Sequence, residues 1–185
     1  MRVIAGSAKG RILKAVPGQN TRPTTDKVKE SIFNMIGPYF DGGVVLDLFA
    51  GTGGLAIEAL SRGMEHGVLI DHNKQSIETI RKNVIATNMN QRVEIYHNDA
   101  FRALKILKKR GALFDLVFLD PPYRMKVLEE ILFFLIDQKL LNDQALIVTE
   151  HDAKYSFQNL EQMKELELVK DVTYGDIGIT IFRNK

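Results

Sequence analysis

Five short apolar runs, separated by segments of helical period, constrain this chain more than any other feature. Residues 44–49 (VVLDLF), 67–71 (GVLID), 93–97 (VEIYH), 115–120 (DLVFLD) and 145–150 (ALIVTE) are rich in Val, Ile, Leu and Phe and too short for helices, so they read as strands. Between them, 55–62 has helical length and stops at Gly63. Residues 75–87 repeat apolar positions at Ile77, Ile80, Val84 and Ile85, and 126–137 do so at Val127, Leu128, Ile131 and Leu135. Strand and helix in alternation predict a parallel sheet covered on both faces. The two ends break the rhythm. RVIAG, SAKG and RILKAV predict an N-terminal β-hairpin with Gly10 near its turn, and a helix follows from about Thr25 to Ile36. Residues 166–174 and 177–183 flank Gly175-Asp176 as two antiparallel strands. The expected fold is therefore α/β, a mostly parallel seven-stranded sheet with an antiparallel C-terminal edge strand.

Composition narrows the function. With 185 residues, 45% of them hydrophobic and 26% charged, the chain supports one packed core and is not disordered. It has no Cys, which removes disulfides, thiolate metal sites and every Cys nucleophile; His66, His72, His97 and His151 show no metal-ligand spacing. No apolar run reaches the roughly 18 residues of a membrane span, and the N-terminus lacks the apolar core of a signal peptide, so a cytoplasmic location is expected. Charge is uneven. Residues 1–25 hold Arg2, Lys9, Arg11, Lys14 and Arg22 and no acid, on a chain of net charge +2, so the remainder is mildly acidic. A basic arm of this kind suits a phosphate backbone and equally suits a solvated hairpin.

In open parallel sheets ligands bind beyond the carboxyl ends of the strands, and four such loops carry information. The first, 47–54 (DLFAGTGG), opens a helix with Gly51, Gly53 and Gly54, which let backbone approach a ligand. The second ends in Asp71, twenty residues beyond Gly51, an offset suited to a carboxylate on ribose hydroxyls. Gly51-x-Gly53-x-x-Ala56 also satisfies the dinucleotide fingerprint. Asp47 argues against a dinucleotide, because a carboxylate there repels a pyrophosphate and attracts a methionine ammonium. The third loop, Asn98-Asp99-Ala100, offers an acid to an adenine amino group. Acids at all three strand ends describe a Rossmann-like, doubly wound pocket for a cationic adenosine, which S-adenosyl-L-methionine fits. Singly, Asp71 or Asp99 is more often a helix N-cap.

The fourth loop, Asp120-Pro121-Pro122-Tyr123, is the sharpest signal. Two prolines restrict the backbone, so the Asp120 carboxylate and Pro121 carbonyl can form a rigid pair of acceptors. An exocyclic amine is a poor nucleophile. Two acceptors on its hydrogens would turn its lone pair toward an electrophilic methyl, and Tyr123 would stack on a base drawn out of its helix. The plainer alternative is a Pro-Pro turn before a helix.

DLFAGTGG, Asp71, NDA and DPPY resemble the motifs of class I S-adenosylmethionine-dependent N-methyltransferases. The segments AGSAKGR and NTRPTTDKVKESIFN, with DLFAGTGGLAIEALSRG, are similar to the RsmD family of 16S rRNA guanine-N2 methyltransferases, and the similarity runs from Arg2 through YGDIGITIFR. Thr52 and Gly54 stand where Ser and Ala are common in that family. The resemblance implies methyl transfer to N2 of a guanine in 16S rRNA, the guanine at position 966, either in free RNA or in an assembling small subunit. It implies a cofactor site of Asp47, Phe49, Ala50, Gly51, Gly53, Asp71, His72, Asp99 and Ala100, and a catalytic set of Asp120, Pro121 and Tyr123. RNA contacts would come from Arg2, Lys9, Arg11, Lys14, Arg22 and Thr24. On this reading 1–40 is a basic hairpin-and-helix extension of a methyltransferase domain, 41–185. Other targets of the same loop are adenine or cytosine amines of DNA and a protein glutamine; a DNA enzyme would need more chain for sequence readout than one hairpin. A dinucleotide-dependent oxidoreductase and a non-catalytic RNA-binding module are the remaining alternatives.

Overall fold

A computed structural model describes residues 1–18, 25–122 and 126–185. In chain order the elements are α1 (Asp26–Ile36), β1 (Val44–Asp47), α2 (Gly54–Ser61), β2 (His66–Asp71), α3 (Lys74–Ala86), β3 (Val93–His97), α4 (Ala100–Lys109), β4 (Phe114–Leu119), α5 (Leu128–Asp137), β5 (Leu141–Asp152), β6 (Leu166–Tyr174) and β7 (Ile177–Asn184). The strands form one sheet in the order β3-β2-β1-β4-β5-β7-β6. The first five are mutually parallel, with Val45 opposite Gly67 on one side and Leu116 on the other. The expected antiparallel edge is a hairpin, and β7 is the strand of it that pairs with β5, leaving β6 outermost.

Alternation along each strand sends side chains to two cores. Val45, Leu69, Phe118 and Val148 face Phe33 of α1, Ile57 and Leu60 of α2 and Ile80 of α3. Leu46, Val68, Val117 and Ile147 face Leu104 of α4 and Ile131 and Leu135 of α5. Helices α1, α2 and α3 therefore cover one face and α4 and α5 the other, the doubly wound arrangement. Helix α4 has no counterpart in the sequence reading. Its apolar positions Ala100, Ala103, Leu104 and Leu107 form one buried stripe, and Asp99 caps it by accepting from the Phe101 and Arg102 N–H groups, both at 3.1 Å. Among the described residues no helix is long and apolar enough to cross a membrane.

The N-terminal hairpin is shorter than its sequence suggests, with one antiparallel bridge, Arg2 to Ile12. Its backbone is bonded across the hairpin, as in Val3 N–H to Arg11 O and Leu13 N–H to Met1 O, and equally to helix α2. The Ile4 and Ala5 N–H groups donate to the two carboxylate oxygens of Glu58, at 2.9 and 3.0 Å; Ala8 N–H donates to Ser61 Oγ, and Ser7 N–H to the Ser61 carbonyl. Gly6 is required by this docking, because a Cβ there would lie 1.7 Å from the Ser61 carbonyl oxygen. Val3, Ala8 and Leu13 are buried in the same core as Val45 and Phe118.

Candidate active site

Asp47 ends β1, Asp71 ends β2, Asp120 follows β4 and Glu150 lies near the end of β5. Each falls in alternation with a residue of the core under α1, α2 and α3 (Val45, Leu69, Phe118 and Val148), so all four project to that face. The strand order β2-β1-β4-β5 sets them in a row: Asp71, Asp47, Asp120, Glu150.

Asp47 is only 2% exposed. Burial pushes its carboxyl up to about 7, with the Asp71 charge adding to the effect; the Ala56 and Phe49 backbone N–H groups, which bond it, pull the other way. Asp71 braces the Gly-rich loop: Oδ2 accepts from Gly51 N–H and Oδ1 from Asn73 N–H, each at 2.8 Å. His72 is exposed, its Nδ1 3.7 Å from Asp71 Oδ1. Gly51 has a φ of 54°, and a Cβ on it would meet nothing within 4 Å, so the loop faces open space. Ala50 is buried and held to Ile70 O through its N–H, and Phe49 is half-buried beside it. Gly53, at φ 79°, caps α2. A glycine cradle open to solvent, backed by a row of ionisable carboxyls, fits a cationic adenosine-containing group. Asp99 stands apart from this row: it is exposed and caps α4, so Ala100 is the first helical residue behind it.

Asp120 is half-buried and Pro121 buried. Burial holds the Asp120 carboxyl well above the usual carboxylate range, and the Glu150 and Asp47 charges push it further. In the β4–β5 pairing Leu119 is opposite Thr149, so Asp120 and Glu150 follow on adjacent strands. Glu150 is 5% exposed and does not stand out in the sequence; the signal available is its place at the end of the run 145–150, matching Asp120 at the end of 115–120. Tyr123, Arg22 and Thr24 lie outside the described residues. Among the described residues no three acids or histidines are placed to hold a metal ion.

The basic side chains Arg2, Lys9, Arg11 and Lys14 are exposed, and Arg2 Nε lies 3.4 Å from Asp26 Oδ2. The arm that carries them is tied to the Gly-rich loop by one side chain. Asn83 of α3, buried, accepts from Lys14 N–H at 2.8 Å and donates through Nδ2 to Lys14 O at 3.0 Å and Thr52 O at 2.9 Å.

Residues 1–183 match the family model described as Conserved hypothetical protein 95. The chain belongs to this family, the RsmD family of methyltransferases. Its relatives include YlbH of Bacillus subtilis, named as an rRNA methyltransferase, 49% identical over 185 residues and covering all of both chains. Ribosomal RNA small subunit methyltransferase D of Escherichia coli is 34% identical over 154 residues, which are 83% of this chain and 76% of that one. A solved Escherichia coli structure, described as the methyltransferase yhhF, superposes with a TM-score of 0.82 at 32% identity, covering 100% of this chain and 98% of the other.

Proposed function

We propose that the chain transfers a methyl group from S-adenosyl-L-methionine to the exocyclic N2 of a guanine in 16S rRNA. The observation that carries the reading is the row of strand-end acids. Asp71 and Asp47 flank an open glycine cradle, and the next acid along, Asp120, belongs to the loop whose residue types suit an amine. The name of the Escherichia coli relative, which specifies small-subunit ribosomal RNA, supports the substrate, and so does the exposed basic arm. An rRNA substrate also implies a cytoplasmic enzyme. In this reading 1–40 is the RNA-docking extension of the methyltransferase domain 41–185.

Bound S-adenosyl-L-methionine supplies an electrophilic methyl group on a sulfonium centre. The chain's own residues do the rest. Asp47 would meet the ammonium of the methionine portion and Asp71 the ribose hydroxyls, while the Gly51 backbone leaves room for both and Gly53, whose missing Cβ faces Leu69, Ile57 and Ile80, lets the loop turn tightly onto the core. Phe49, Ala50 and His72 would line the same pocket, and Asp99 with Ala100 would border its adenine end. Asp120 and the Pro121 carbonyl would accept the two hydrogens of the target amine and aim its lone pair. A carboxyl held above its usual range is also suited to take the proton released once the new N–C bond has formed.

The test is single-turnover transfer of labelled methyl to 16S rRNA and to small subunits with saturating cofactor, followed by mapping of the modified nucleotide. Modification at guanine N2 is expected, and Asp120→Ala should slow transfer by about 10² to 10³ with cofactor affinity nearly intact. Label on an adenine or cytosine, or wild-type rates in the variant, would overturn the assignment.

A further inference from the structure

The row of acids has one more member than the proposed chemistry uses. Asp71, Asp47 and Asp120 have roles; Glu150, on the far side of Asp120 from the cofactor cradle, has none. It is buried, on the same face, one strand away from Asp120, and strands in a sheet lie about 4.8 Å apart. Two acids that close repel each other, and an N–H donor arriving between them would relieve the repulsion that, with burial, raises the Asp120 carboxyl.

The Watson–Crick edges of the bases differ in what they would bring. Next to its amino group, guanine carries N1–H, a donor. Adenine carries N1 and cytosine N3, both lone pairs. A base whose amino group sits at Asp120 and Pro121 extends away from the cofactor, toward β5, and its ring nitrogen arrives at the neighbouring acceptor. Guanine offers that acceptor a proton, whereas adenine and cytosine would set a lone pair against a carboxylate. We infer that Glu150 is the specificity-determining residue of the site, accepting the N1–H of the target guanine beside the amine held by Asp120. The inference rests on the proposed methyl transfer to a guanine amine and adds the residue that selects the base.

A substrate analogue isolates the contact. 2-Aminopurine keeps the 2-amino group, replaces N1–H by a lone pair and lacks O6. The loss of O6 is common to wild type and variants, so the change in base preference between them reports the N1 contact. Methyl transfer is measured on 16S rRNA fragments carrying guanine or 2-aminopurine at the modified position, with wild type, Glu150→Gln and Glu150→Ala. The wild type should prefer guanine by at least about 10² in kcat/KM, since a site built around a substrate N–H rejects the analogue lacking it. Glu150→Gln, whose amide can donate, should lower transfer to guanine, raise transfer to 2-aminopurine and bring the two within about tenfold, whereas Glu150→Ala should lower guanine without raising the analogue. Cofactor affinity by calorimetry should stay at the wild-type value in both variants. A purely structural role would lower both substrates together and leave their ratio unchanged, and that result overturns the inference, as does a wild type indifferent to the two bases. If neither variant folds, a wild type indifferent to the two bases still overturns the inference, and Glu150→Asp takes the place of the variants. If the wild type methylates no guanine at all while binding the cofactor, the proposed function itself fails and the inference falls with it; if guanine is methylated but the variants keep the wild-type ratio, only the role of Glu150 fails.

Discussion

Glu58 and the strand-end acids lie under the same helices and are treated in opposite ways. Glu58 of α2 is fully buried, and each of its oxygens receives one backbone N–H and one cation. Oε2 takes Ile4 N–H and lies 3.3 Å from Lys29 Nζ, while Oε1 takes Ala5 N–H and Arg62 Nε, the latter at 2.8 Å. Lys29 in turn donates to the Arg2 carbonyl, and burial pushes its ammonium down against the pull of Glu58. At the strand ends Asp47 and Asp120 are held among other acids, and both carboxyls are pushed up. Compensation within the chain makes Glu58 a clasp for the N-terminal arm. At Asp47 and Asp120 the raised carboxyls express a demand for positive charge and for N–H donors that a ligand can meet.

The clasp should be the costlier one to break. Glu58→Ala strands Lys29 and Arg62 in the core and should lower stability by about 3–5 kcal/mol in chemical denaturation, the range for removing one partner of a buried ion pair. Pairing it with Lys29→Met should recover part of the loss, because one buried charge disappears as well.

At the strand ends the sign reverses. Asp47 has a folded value of about 7 against an ordinary 3.8, so between those values the folded state holds a proton that the unfolded state has released. Stability of the cofactor-free protein should therefore fall as pH rises from about 4 to about 7, and Asp47→Asn should reduce that slope, leaving the share that the raised Asp120 carboxyl contributes. The variant should be more stable than wild type by about 2–4 kcal/mol at pH 8, since each tenfold change in proton affinity is worth about 1.4 kcal/mol, and should bind S-adenosyl-L-methionine more weakly. Thermal melts from pH 4 to 8 check both slope and sign; a steeper slope in the variant would refute the account.

Asp71 sits between the two cases, since backbone N–H groups already satisfy part of its demand. Asp71→Ala should weaken cofactor binding by about 1–3 kcal/mol in calorimetry. The smallest effect on the protein itself belongs to the arm's exposed charges. Neutralising Arg2, Lys9 and Arg11 should leave stability nearly unchanged and reduce the salt dependence of RNA binding by roughly 0.7 to 0.9 for each phosphate that is no longer neutralised. An unaltered salt slope would make the arm a docked segment without an RNA role.

Much of this is legible in the chain because burial on two faces leaves nothing to confuse it with. Strands β1, β2 and β4 are nearly continuous apolar runs, and their terminal acids are conspicuous against Leu46, Ile70 and Leu119. What the sequence hides is compensation through space. Glu58 looks like any solvated residue of an amphipathic helix, and only the docking of Ile4 and Ala5 accounts for its burial. Helix α4 carries its full signal in the sequence, the cap Asp99 and apolar positions at 100, 103, 104 and 107, and it is hidden only when Asp99 is read as an adenine partner and not as that helix's cap. Strand β5 extends back to Leu141 through Asn142, Asp143 and Gln144, polar residues that carry no strand pattern, and its pairing with β4 shifts register there.

The placement of β7 bears on how the chain folds during synthesis. Strand β5 has no neighbour on its outer side until β7 arrives, and β6, made in between, pairs with β7 alone. Neither can be satisfied early, so that side of the sheet closes in a single late event with high loop-closure cost, and the edge of β5 stays open to other chains until then. A proline at Ile179, opposite both Glu150 and Val172, would therefore remove a ladder N–H from the middle strand of the three and loosen the sheet beside the end of β5, where the active site begins.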